Sequence, residues 1–222
     1  EEQRRRFLAE VTHELRTPLA VLQSGIEAQL DGIHPRDDRH LSSLLEETQV
    51  LGRLIDDLHT VALADAGRLT LHHEPLAPGA LVEETVAGQA ALAGRRGITV
   101  AADVGPDVPE IEADPTRLRQ VLANLLSNAI RHSPPGGVVG VRVEAAAGRV
   151  RFTVSDQGPG FPPERLEHLF ERFTPAGDSR GSGLGLSIAR DLVAAHGGSI
   201  EASNHPGGGA TVTFDVPVAR QP

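Results

Sequence analysis

Two apolar stripes in the first 65 residues constrain the fold of this chain more than any other feature. Leu8, Val11, Leu15, Leu19, Leu22, Ile26 and Leu30 recur at spacings of three and four, which is one face of a helix. A second set, Leu41, Leu44, Leu45, Thr48, Leu51, Ile55, Leu58 and Ala62, repeats the pattern. Between them, residues 31–38 hold Gly32, Pro35 and Asp, a combination that ends helices and turns the chain. The pattern predicts an antiparallel helical hairpin. Such a hairpin cannot enclose its own apolar stripe, so two copies are expected to pair into a four-helix bundle.

The remainder reads differently. Residues 65–78, with Gly67, His72, His73, Pro75 and Pro78, are expected to be a linker. The expected domains are therefore 1–66, a helical hairpin, and 67–222. In the second, helical patterning over Leu81–Ala93 precedes a strand at Ile98–Val104. Asp114-Pro115 supplies an N-cap and a Pro at the first helical position, opening a helix to about His132. Val138–Glu144 and Val150–Asp156 read as paired strands. A Gly-rich turn at 180–187 feeds a helix that ends at Gly197-Gly198, and Ile200–Ala202 and Ala210–Val216 close as strands. Helices mixed with hairpins give an α+β fold: a helical hairpin followed by an α/β sandwich.

Composition removes several alternatives. The formal net charge of −9 argues against nonspecific nucleic-acid binding, which needs basic surface to neutralise phosphates. There is no Cys, which excludes disulfides and Cys-based zinc sites. The ten His form no HExxH pair. No apolar run approaches the roughly 18 residues of a membrane span, so no membrane contact is expected of this segment. A chain that starts at Glu1 is expected to be part of a longer one.

Four groups of residues carry possible chemistry. On a helix of about 100° per residue, His13 lies about 200° from both Val11 and Leu15 and faces solvent. Thr17 and Arg16 share its face, and Glu14 stands one step round, where a carboxylate could hold one ring proton and leave the other nitrogen nucleophilic. Pro18 inside this helix breaks a local rule and is expected to bend it. Asn124 and Asn128 lie one turn apart and could offer oxygens to a hard cation, with Arg131 in reach of a phosphate. Asp156 ends a strand before Gly158 and Gly160, where a carboxylate could accept from an adenine amino group and glycines admit a ligand. GSGLGL, Gly181 to Leu186, precedes a helix N-terminus that could face an anion. Each has an ordinary alternative: a surface His, two surface Asn, a strand-to-turn signal, and a turn outside any βαβ unit. FERF, Phe170 to Phe173, is a further group, and its ordinary alternative is a short amphipathic helix with two rings in the core.

Taken in order, these segments carry a resemblance. FLAEVTHELRTPL, Phe7 to Leu19, closely resembles the phosphoacceptor box of sensor histidine kinases. RLRQVLANLLSNAIRH (117–132), DQGPG (156–160), FERF and GSGLGL resemble the N, G1, F and G2 boxes of the histidine-kinase ATP-binding domain, shared more loosely with topoisomerase and chaperone ATPases. The resemblance implies ATP-dependent autophosphorylation of His13, with Glu14 as the orienting base, then transfer to an Asp of a response regulator receiver domain. Thr17 is implied in dephosphorylating that regulator. Asn128, and less centrally Asn124, are implied as Mg²⁺-ATP ligands, with Arg131 and His132 beside them. Asp156 is the implied adenine reader, with Gly158 and Gly160 shaping its turn and Thr211 helping it through water. Gly181, Gly183, Leu184 and Gly185 belong to the implied lid over the phosphates. A homodimer in the cytoplasm follows, from a parent that membranes can anchor in this family.

Some positions depart from the pattern. Arg131-His132 replaces the usual Lys-aromatic pair. Thr174-Pro175 stands where an aromatic and a γ-phosphate Arg are common, leaving Arg180 as a substitute. Two rivals stay open: an ATP-hydrolysing conformational machine, and a non-catalytic docking module.

Overall fold

The computed structural model describes residues 2–35, 37–172 and 183–218, and these described residues divide into two compact units, those up to Arg68 and those from Leu69. The first unit is two long helices, α1 (Glu2–Leu30) and α2 (Asp38–Asp65). The α1 helix continues through Pro18, whose ring is buried. Gly32 in the connection takes a φ of 72°, a left-handed conformation that favours glycine. Asp37 caps α2 by accepting the His40 N–H at 2.9 Å, which satisfies one of the orphan donors of a helix start. That same bond, followed by a side-chain contact to the His40 ring, holds the Asp37 carboxyl below its usual value.

Within this unit Pro18, Leu54, Thr60 and Val61 are buried. Leu19, Val21, Ile26, Leu30 and Ile33 are exposed, as are Leu41, Leu45, Val50 and Ile55. Much of the apolar surface that the sequence places on these helices therefore has no cover within one chain.

The second unit is a two-layer sandwich. Its elements are β1 (Glu74–Leu76), α3 (Pro78–Arg96), β2 (Thr99–Val104), β3 (Ile111–Ala113), α4 (Pro115–His132), β4 (Val138–Ala146) and β5 (Arg149–Ser155). A 3₁₀ turn (Pro163–His168), α5 (Gly185–Ala195), β6 (Ser199–Asn204) and β7 (Ala210–Pro217) complete it. The main sheet has the order β2-β4-β5-β7-β6, with β2 parallel to β4 and every other pair antiparallel. Burial alternates strictly along β5 and β7. One face packs on the helices and the other, with Thr153, Thr213 and Asp215, is open. The Phe152 and Phe214 rings stack at 4.7 Å in the covered layer. Leu118, Val121, Leu122, Leu125, Leu126, Ala129 and Ile130 of α4 are all buried, so α4 is the central helix.

Part of the expected linker is structured. β1 pairs antiparallel with β3, and the chain before it is tied to α4. Asp114 caps α4 by accepting the Arg117 N–H at 3.0 Å through Oδ1, and it accepts the His72 N–H at 3.0 Å through Oδ2. Burial alone would raise the Asp114 carboxyl, but the His72 and Arg117 N–H groups outweigh it and hold it low. His196, at the end of α5, is buried. Its Nε2 accepts the Asp114 backbone N–H at 3.1 Å and its Nδ1 lies 2.8 Å from the Leu192 carbonyl. The His73 ring meets His196 edge-on at 5.8 Å.

The FERF segment is not the expected helix. The 3₁₀ turn stops at His168, and Phe170–Arg172 form turns with Phe170 half-buried. Glu171 bonds back to the His168 ring and Arg172 reaches Asp191 on α5 at 3.3 Å. These polar contacts fix the segment from the side, where a helix would have needed an unbroken apolar face. Phe173 lies outside the described residues.

Candidate functional site

On α1, His13, Arg16 and Thr17 are exposed and Glu14 is half-buried, as a helical wheel dictates. The imidazole has no hydrogen-bond partner among the described residues, so both ring nitrogens face solvent and Glu14 is not bonded to it. The Thr17 hydroxyl folds back onto the His13 carbonyl at 3.3 Å, the local bond that Ser and Thr make inside helices.

The second constellation lies on the sandwich, where α4, α5 and the β5 exit converge. Asn124 donates from Nδ2 to the Gly185 carbonyl at 3.2 Å, which ties α4 to the first turn of α5. A Cβ on Gly185 would lie 3.6 Å from the Asn124 amide carbon, so the contact is close but not closed to larger residues. Asn128, one turn on, is half-buried and makes no hydrogen bond among the described residues. The Asn124 Oδ1 and the whole Asn128 amide are thus uncommitted. Arg131 and His132 are half-buried at the end of α4, where Arg96 donates to the Arg131 carbonyl at 2.6 Å.

Asp156 is the best-defined group. Its Oδ1 accepts the Gly158 N–H at 2.8 Å and the Ala210 N–H at 3.2 Å. Its own N–H donates to the Ala210 carbonyl at 2.9 Å. No bond engages Oδ2 among the described residues. One oxygen fixes the carboxylate and the other is left to accept from a ligand. Gly158 is buried against the end of α4, where an added Cβ would sit 2.6 Å from the His132 carbonyl. That backbone approach, rather than turn geometry, is why the position needs glycine.

At the start of α5, Gly183 takes a φ of 62° and Leu184 is fully buried. Among the described residues no side chain caps α5, and a helix start of this kind presents N–H groups that suit an anion. Gly181, Thr174, Pro175 and Arg180 lie outside the described residues.

The structure does not bring Thr211 to this site. Ala210, Val212 and Phe214 are buried toward the helices, and alternation along a strand sends Thr211 to the open sheet face. Its hydroxyl is bonded instead to His205 Nε2 at 2.6 Å. The residue of β7 that touches Asp156 is Ala210, one position earlier. The register of β7 on β5, which the GGGAT run does not reveal, decides which face Thr211 takes.

Among the described residues no three His, Asp or Glu side chains are gathered as metal ligands. Two neutral amides do not hold Mg²⁺ alone, but they suit a cation whose remaining ligands are phosphates and water.

Comparisons with known proteins match segments in both units. Residues 3–67 match the family model of the His Kinase A (phospho-acceptor) domain, and residues 113–220 match that of the histidine kinase-, DNA gyrase B- and HSP90-like ATPase. The chain is 36% identical to the signal transduction histidine-protein kinase BaeS of Escherichia coli K12, over 99% of this chain and 48% of BaeS. It thus spans about half the length of that curated relative. Among solved structures, the Acinetobacter baumannii histidine kinase AdeS superposes with a TM-score of 0.77 at 29% identity, covering 94% of this chain and 98% of AdeS. The mycobacterial sensor histidine kinase MprB is 31% identical with a TM-score of 0.58, over 66% of this chain and 97% of MprB. Two further matches are complexes. ShkA with AMPPNP is 31% identical, with a TM-score of 0.68 over 96% of this chain and 46% of ShkA. ThkA with the response regulator protein TrrA is 25% identical, with a TM-score of 0.72 over 96% of this chain and 61% of ThkA.

Proposed function

This chain belongs to the sensor histidine kinase family, and we propose that it is a kinase core that phosphorylates its own His13 from ATP. The observation that carries the reading is Asp156, whose Oδ1 is held by Gly158 and Ala210 while Oδ2 stays available. A carboxylate fixed in this way accepts the adenine N6 amino hydrogen and rejects guanine, which presents a carbonyl there. The complex of the related ShkA with AMPPNP supports ATP as the ligand.

The residues take these roles. Asp156 orients the base. Asn128, with the Asn124 oxygen, would hold Mg²⁺ that arrives on the triphosphate, and the cation supplies neutralisation of phosphate charge. Arg131 and the first N–H groups of α5 bind phosphate oxygens. The exposed His13 attacks the γ-phosphorus, forming an N–P bond as the bond to the ADP oxygen breaks. Glu14 accepts the ring proton or holds it. Positioning and charge neutralisation supply the catalysis. The phosphoryl group then passes to a carboxylate of a receiver domain, which the ThkA complex with TrrA supports. The uncovered apolar residues of α1 and α2 support a homodimer through a four-helix bundle.

Incubation with ATP labelled at the γ position tests the reading. The protein should acquire acid-labile, alkali-stable label, and His13→Ala should abolish it. Hydrolysis without label would point to an ATP-driven conformational machine, and neither label nor hydrolysis to a docking module. Thr17→Ala should spare the label and impair removal of phosphate from the regulator. Equal loss of both would end the separate role of Thr17.

A further inference from the structure

The turn that carries Asp156 is held at both ends by one hairpin. At its start, Ala210 of β7 accepts the Asp156 N–H through its carbonyl and donates its own N–H to Asp156 Oδ1. At its end, Asn204 of β6 bonds the backbone of Phe161 twice. Its Oδ1 accepts the Phe161 N–H at 2.8 Å and its Nδ2 donates to the Phe161 carbonyl at 2.7 Å. Asn204 and Ala210 are partners across the β6–β7 ladder. A single rung of the sheet thus grips both ends of the turn.

Two glycines make the grip possible. Gly160 takes a φ of 78°, and a Cβ there would lie 2.8 Å from Asn204 Oδ1. Gly209 takes a φ of 98°, and a Cβ there would lie 2.3 Å from the Asp156 carbonyl. The hairpin is closed on itself by His205 N–H to the Gly209 carbonyl at 3.0 Å and by the His205–Thr211 side-chain bond. Asn204 itself is exposed. It fills no part of the core, so packing does not explain an amide with both ends committed to one residue.

We infer that Asn204 is a positioning residue for nucleotide binding, holding the exit of the base-reading turn so that Asp156 Oδ2 is aimed before the base arrives. This rests on the reading of Asp156 given above. The segment Gly158-Pro159-Gly160 has little to order it from within, since two of its residues carry no side chain. Without the Asn204 bonds the turn samples several conformations. Only the fraction in the binding geometry accepts adenine, and apparent affinity falls by that fraction.

The test is equilibrium binding of ATP, ADP and GTP to the whole chain, with thermal unfolding of the nucleotide-free protein measured beside it. Asn204→Ala removes both bonds and should weaken ATP and ADP about tenfold, the low end for two lost hydrogen bonds because the site is exposed. GTP binding, which does not use Asp156, should change little, so the preference for ATP over GTP should shrink. Asn204→Asp keeps the acceptor for the Phe161 N–H but loses the donor, and should fall between. The same two bonds are lost from the folded state, so the unfolding midpoint should fall by only about 3–6 °C, with the protein still folded at the temperature of the binding assay. Unchanged ATP affinity in both variants overturns the inference. So does a parallel loss of ATP and GTP binding, which would make Asn204 a structural residue only. A parent chain without ATP affinity overturns the nucleotide reading itself, and the inference with it.

Discussion

The two units of this molecule solve the burial problem in opposite ways. The sandwich covers its apolar residues with its own elements: the inner residues of β4, β5 and β7 and the whole apolar face of α4 are buried. The hairpin does not. Leu45 remains 58% exposed, Ile55 53% and Leu30 67%. Scattered exposed apolar residues are ordinary, but Leu19, Ile26 and Leu30 on one helix and Leu41, Leu45 and Ile55 on the other recur at helical spacing, which is the pattern that helix pairing uses. One unit is finished as a single chain and positions a ligand site. The other leaves its apolar stripe uncovered within one chain, which on the proposed reading a second copy covers, and His13 is exposed on it.

The largest effect that tests this contrast is on assembly. Leu45→Glu should leave ATP binding by the sandwich unchanged while separating the dimer. Two copies of Leu45, each losing roughly 1.5–3 kcal/mol of burial, amount to about 3–6 kcal/mol, a hundredfold or more in dissociation constant. Sedimentation over a range of concentrations reads this directly. A variant that stays dimeric at the parent's affinity would break the comparison. The matching change in the sandwich is smaller and of another kind. Leu122 is fully buried on α4, and Leu122→Ala should cost about 2–5 kcal/mol of unfolding free energy. That loss should be independent of protein concentration in urea unfolding followed on the sandwich. A loss that grew on dilution would mean that the sandwich too is completed by association.

This contrast also decides what could be read from the sequence. The hairpin stripes and α4 were legible because amphipathic helices of this length repeat their pattern several times. Asp114-Pro115 was legible because a cap and an N1 proline have local chemistry. The β1–β3 pair was not, since three-residue strands have no periodicity to detect. Its neighbours His72 and His73 read as linker for the same reason. Asp156 was legible as a carboxylate at a strand end. The contacts around it were not: Ala210 reaches Asp156 through the register of β7 on β5, and Asn204 reaches Phe161 at the end of the turn through the register of β6 on β7, and register is set by tertiary pairing. Thr211 was misplaced by one residue of that register, which in a strand reverses the face.

The smallest expected effect concerns pH, and it should belong to the sandwich alone. Burial of the His196 ring disfavours its imidazolium, and the neighbouring His73 adds to this. The Leu192 carbonyl and Asp114 oppose it without overcoming it, so the folded value lies below the ordinary 6.5. The unfolded chain then takes up a proton at higher pH than the folded chain. Above pH 6.5 the ring is neutral in both states and its contribution to stability is complete. As pH falls through 6.5 the unfolded state gains its proton first and stability declines, until the folded ring protonates as well. Protonation also removes the acceptor that Nε2 offers to the Asp114 N–H. Asp114, held below 3.8, titrates outside this window. His168 acts in the opposite sense, because Glu171 raises it, so it is replaced by Gln in every protein compared. Urea unfolding of the sandwich between pH 8 and 5.5 should show a decline in the His168→Gln protein that is shallower once His196→Asn is added. Equal slopes in the two proteins, or a decline of the same size in the helicity of the hairpin, would remove His196 as the source.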